Sequence, residues 1–136
     1  LQELSVKKAL FEEKLLECVT YFQMSPLALS ASADLSIVQF FYEYYDKHHS
    51  NDLLEQANTA LLIASFFGKT ETMQFLIEKG ANPNSQIFSY KLSPLLLAAS
   101  NQNTSALQYL LNLETIEPYI VDINGNTALH YAALYS

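Results

Sequence analysis

The sequence predicts an all-α solenoid of stacked helix–turn–helix units behind an N-terminal helix. Three observations carry that expectation. A hydroxyl-small-leucine triplet recurs at Ser25-Pro26-Leu27, Thr59-Ala60-Leu61, Ser93-Pro94-Leu95 and Thr127-Ala128-Leu129, each step being 34 residues. Paired small residues follow in fixed register at Ser30-Ala31, Ala64-Ser65, Ala98-Ala99 and Ala132-Ala133. Half of the 136 residues are hydrophobic, while three glycines and four prolines leave little turn chemistry for a sandwich or barrel of short strands.

Residues 2–20 read as a long amphipathic helix. Leu4, Leu10, Phe11, Leu15 and Val19 lie on one side and Lys7, Lys8, Glu12, Glu13 and Glu17 on the other. It caps the stack or is the second helix of a degenerate earlier unit. Each triplet then opens a short helix. Its Ser or Thr is a good N-cap, and proline suits the first helical position, where its missing N–H costs nothing. The small pair lets neighbouring helices approach closely, and the leucine faces an adjacent layer.

A second helix completes each unit. Thr70 to Lys79 places Met73, Leu76 and Ile77 on one face and stops at Gly80, with Asn82-Pro83-Asn84 forbidding continuation. Ser105 to Asn112 repeats the theme, and Ser36 to Tyr42 does so one residue early. Asp46 to Asp52 reads as a polar loop.

These residues resemble the ankyrin-repeat family. Asp122-Ile123-Asn124-Gly125-Asn126-Thr127-Ala128-Leu129-His130-Tyr131-Ala132-Ala133 follows the family's D-x-x-G-x-T-P-L-H-x-A-A pattern except at Ala128, and Gly80-Ala81-Asn82-Pro83-Asn84 follows its G-A-x-x-N ending. The resemblance covers residues 24–136 and implies units at about 24–57, 58–91, 92–125 and 126–136, after an N-terminal helix over 1–23 that packs on the solenoid. It also implies a structural hydrogen bond from His130 between neighbouring turns. Departures are local. Gly125 is replaced by Lys91 and Ala57, and Asp122 by Phe88 and Leu54, in the earlier units. Either the hairpin fingers there are irregular or Asp52 to Ala57 extends the following helix. Because Ser136 follows the first helix of the fourth unit directly, the native protein is expected to continue.

Chemistry is sparse. No nucleophile elbow, P-loop, zinc-protease or dinucleotide motif occurs, so no catalytic residue, metal ligand or cofactor is assigned. His48 and His49 are adjacent, and neighbouring helical residues point about 100° apart, a poor chelate. Cys18, between Glu17 and Val19, cannot pair within the chain and reads as a core or boundary residue. Fourteen acids against seven lysines, with no arginine, give a net charge of −7 and disfavour nucleic acid. No apolar run approaches a membrane span, and there is no signal-peptide pattern. A monomer in the cytoplasm is the expectation.

The aromatics point to a partner. Nine tyrosines and eight phenylalanines occur without a tryptophan. The resemblance implies binding through turn tips and the exposed face of each first helix, places that in this chain hold Phe66, Phe67, Tyr90, Leu92, Asn101, Asn124, Leu134 and Tyr135. Aromatic groups supply much contact area at small entropic cost. They form a strip that docks a protein, or the fingers fold over and bury them. Phe40 to Tyr45 is denser still: core packing accounts for part of it, and some ring edge is expected to be exposed. The reading is a non-catalytic protein-interaction module. The alternative is the targeting arm of a larger enzyme, such as a secreted bacterial effector acting in a host cytoplasm.

Overall fold

The computed structural model describes residues 25–48 and 51–135, the side chain of Tyr135 excepted. The expected helix over residues 2–20, with Cys18, lies outside them. Seven helices are present among the described residues: α1 (Pro26–Ser30), α2 (Leu35–Lys47), α3 (Leu53–Phe67), α4 (Thr70–Glu78), α5 (Pro94–Ser100), α6 (Thr104–Leu111) and α7 (Ala128–Tyr135). First helices stack on first helices, α1 on α3, α3 on α5 and α5 on α7, while α2, α4 and α6 form a second row behind them. No strand forms among the described residues beyond one bridge, Ile87 with Leu92.

Capping sets two of the starts. Ser25 and Ser93 accept the amides of Ala28 at 3.2 Å and Leu96 at 3.3 Å, each with proline at the first helical position. Thr59 does not cap. It sits inside α3, and its hydroxyl donates to the Glu55 carbonyl at 3.1 Å. Of the two sequence alternatives here, the helix is extended, so α3 begins at Leu53 and crosses the boundary expected at 57/58. Nothing between Asp52 and Thr59 breaks a helix, since neither glycine nor proline occurs there.

The core runs along the first row. Leu27, Leu61 and Leu95 are buried between layers with Ala60, Ala64 and Ala98, whose small size lets the helices close up. Leu129 holds the same register on α7 but is 79% exposed, because no described layer follows α7; Tyr131, on the side toward α5, is buried. The small hydroxyls inside the stack satisfy themselves. Ser30, Ser65 and Ser100 each donate to a carbonyl of their own helix at 2.7 Å. In the second row Met73, Leu76, Ala106 and Leu110 are buried, as their spacing predicts, and α2 runs five residues past the predicted Tyr42.

Positive φ recurs with the same period. Gly68 (φ 71°) ends α3, and Gln102 (φ 54°), 34 residues on, takes the equivalent place after α5. Gly125 (φ 79°) and Lys91 (φ 54°) are likewise paired in the fingers. Only glycine adopts this conformation without strain, so Gln102 and Lys91 hold it because the surrounding turns demand it.

Candidate partner-binding site

Two fingers project from the first row. In the earlier one Phe88 to Lys91 turns between Ile87 and Leu92, whose backbones exchange bonds of 2.8 and 2.9 Å. In the later one Asp122 is the organiser. Its carboxylate accepts the amides of Asn124 and Asn126, both at 2.9 Å, and the phenol of Tyr131. Burial pushes that carboxyl up, but the bonds from Tyr131, Asn126 and Asn124 outweigh it and hold it below the usual carboxylate value. The fingers are tied together: the Ile123 amide donates to the Tyr90 carbonyl at 3.0 Å, and the Gln86 amide side chain bridges the Lys91 and Val121 carbonyls. Behind them Asn84 joins the second and third layers, donating to the Thr115 carbonyl at 2.7 Å and accepting the Glu117 amide at 2.9 Å.

The residues assigned to a binding strip divide. Phe66 and Leu92 are 3% and 4% exposed, packed with Leu62 and Leu97 beneath Ile87 and Phe88. That corrects the expectation for both: the base of the finger closes over them, so they are core. Phe67, edge-on to Phe66 with centroids 5.1 Å apart, is 49% exposed, and Tyr90 is 41% exposed. Asn101 is half-buried, its side chain donating to the Phe66 carbonyl at 2.8 Å, so it clamps two layers together. Asn103 donates to the same carbonyl and to that of Ser65. Asn124 is exposed at the later finger tip, and Leu134 is exposed on α7. Ile123, Val121 and Tyr119 are also exposed along that finger, Tyr119 at 85%. Tyr119 stood outside the fixed offsets from the triplets, and an aromatic directly after Pro118, next to Glu117, was the signal for it.

The His130 expectation needs correcting as well. Its Nδ1 meets the amide of Thr127 at 3.0 Å and the Thr127 hydroxyl at 2.8 Å, so the bond stays within one unit and locks the start of α7. Among the described residues no group of three His, Cys, Asp or Glu side chains converges as a metal site would, and no helix is long and apolar enough to cross a membrane. A polar cleft of about 280 Å³ lies between the α1–α2 and α3–α4 connections, with Asp34, Lys69, Thr70 and Glu71 on its walls.

A family model described as "Ankyrin repeats (many copies)" matches residues 61–111, and one described as "Ankyrin repeats (3 copies)" matches residues 87–136. Together they span more than half of the chain. The chain belongs to the ankyrin-repeat family. Ankyrin repeats are protein–protein interaction modules, and the paired helices, finger turns and 34-residue burial pattern here are theirs. Human "Transient receptor potential cation channel subfamily A member 1" is 33% identical over 79 residues, 58% of this chain and 7% of that protein. Mouse "Rabankyrin-5" is 36% identical over 77 residues, 57% of this chain and 6% of that protein. The ankyrin chain thus matches only a small part of either relative.

Proposed function

We propose that this ankyrin stack binds a protein partner through its finger tips and the exposed ends of its first helices, with Phe67, Tyr90, Asn124 and Ile123 supplying the contact. The carrying observation is that Tyr90 and Ile123, on successive fingers joined by a backbone bond, both present large apolar side chains to solvent. Exposed rings held on a rigid support lose little entropy on docking, the usual character of an interface hot spot. The excess of acid over base makes nucleic acid a poor occupant. Tyr135, on the last turn of α7, belongs to the same proposed strip, and the chain acts as a monomer without a cofactor.

Affinity capture tests this reading. The chain is expected to retain a partner that Phe67→Ala and Tyr90→Ala each lose, while Gln74→Ala on the second row keeps it. A partner held equally by all four chains, or by none, overturns the assignment. A second reading is supported by the small share of each relative that the ankyrin chain spans: it serves as the recognition arm of a longer protein, an enzyme or effector among the possibilities. The flanking sequence decides that question.

A further inference from the structure

The second row carries an anomaly at one end. Ile37, Phe40 and Tyr44 share one side of α2 and are 42%, 64% and 50% exposed. Aligned by the helix starts at Leu35, Thr70 and Thr104, they correspond to Thr72, Phe75 and Lys79 on α4 and to Ala106, Tyr109 and Leu113 at α6; Thr72 and Ala106 are buried, and Phe75 and Tyr109 half-buried. The register positions of Ile37 and Phe40 are therefore covered in the two later units and open in the first. Packing tells which way that side points. Phe75 of α4 meets Tyr42 of α2 edge-on at 5.6 Å, so the Phe75 side of α4 is the one that α2 covers. The residue of α2 in register with Phe75 is Phe40, which lies beside Ile37 and Tyr44 at helical spacing. The apolar side of α2 thus faces where a preceding layer would stand.

We propose that residues 2–20 of this same chain are that layer, laid along α2 as a second-row helix over Ile37, Phe40 and Tyr44. The inference extends the ankyrin fold to the N-terminus and is independent of the proposed partner site. Three features select this occupant over a foreign one. Its apolar side, Leu4, Leu10, Phe11, Leu15 and Val19, needs a cover of the same character. As a helix it would be about 28 Å long, enough to span the roughly 20 Å of α2. Its linkage also matches: residues 21–25 would join it to α1 just as residues 48–52 join α2 to α3.

Paramagnetic broadening in the full chain tests this. A nitroxide is placed on the polar side of the segment, at Glu13→Cys in a Cys18→Ser background, and again at Glu17→Cys as a second variant. Amide resonances of α2 are expected to lose most of their intensity, those of α4 less and those of α6 almost none, at both label positions. The pattern should persist when labelled chain is diluted into excess unlabelled chain. Broadening confined to α1, α2 resonances as intense as those of α6, or broadening that vanishes on dilution (a second copy as the cover) overturns the proposal.

Discussion

Asp122 is the residue on which the later finger turns, and its protonation should be visible in stability. It titrates lower in the fold than in the unfolded chain, so as pH falls the unfolded chain takes up its proton first. Its stabilisation is complete above the ordinary carboxylate value of about 4 and is lost as pH falls through the lower folded value. Asp122→Asn removes acceptor capacity from two backbone amides and a phenol and should cost about 1–3 kcal/mol at neutral pH. Thermal melts from pH 7 to pH 2.5 should show the gap between the two chains narrowing below about pH 4. A constant gap would mean that the carboxylate charge contributes nothing. The conformations at Gln102 and Lys91 pose the complementary case. Gln102→Gly should stabilise by about 0.5–1 kcal/mol in urea titrations, since the strain of a positive φ is relieved. Gly68→Ala should destabilise, because its Cβ would stand 2.7 Å from the Asn103 side chain at φ 71°. The glycine at 125 was legible as a turn residue. Lys91 was marked only by standing in the place of Gly125, and Gln102 not at all, because residues forced into the left-handed region by their surroundings carry no mark of it in their identity.

Helices show where the periodic pattern is a sound guide and where it is not. The triplets located three helix starts, at Pro26, Pro94 and Ala128, because each has a hydroxyl residue immediately before it. At Thr59 the same triplet is overrun: Leu53 to Asn58 holds no breaker, so the helix propagates upstream and the hydroxyl bonds its own helix. Ser93→Ala should therefore cost about 1 kcal/mol, as loss of a cap does, while Thr59→Ala should stay within roughly 0.5 kcal/mol of the parent. Equal losses would mean that α3 starts near Thr59 in solution. Stacking gives a second pair of variants. Leu95, in the middle of the row, should cost about 2–5 kcal/mol on truncation to alanine, whereas Leu129, in identical register but exposed, should cost little. The register alone ranks the two equally; only the presence of a layer on each side separates them.

Across the whole molecule, the sequence made the layers readable and left their joints obscure. A 34-residue period in small residues and leucines is enough to order the first row, because stacking repeats bury what each cannot bury alone. It does not say which of two adjacent aromatics turns inward. Phe66 and Phe67 are neighbours in one helix, and burial of the first follows from finger closure by Ile87 and Leu92, a contact between residues more than 20 positions apart. Nor does it reveal that Asn101 and Asn103 reach back to the Phe66 carbonyl at the end of α3 and so bolt the third layer to the second. If those bonds couple the layers, Asn101→Ala combined with Asn103→Ala removes the side-chain donors that reach the Phe66 carbonyl at the joint, at about 1–3 kcal/mol. The damage should then be regional. Hydrogen exchange is expected to show α5, α6 and α7 losing more amide protection than α1 and α2, since the far layers can open while the near ones stay closed. A loss spread evenly over all seven helices would mean that apolar contact between the first-row helices, rather than these two amides, makes the stack open as one unit.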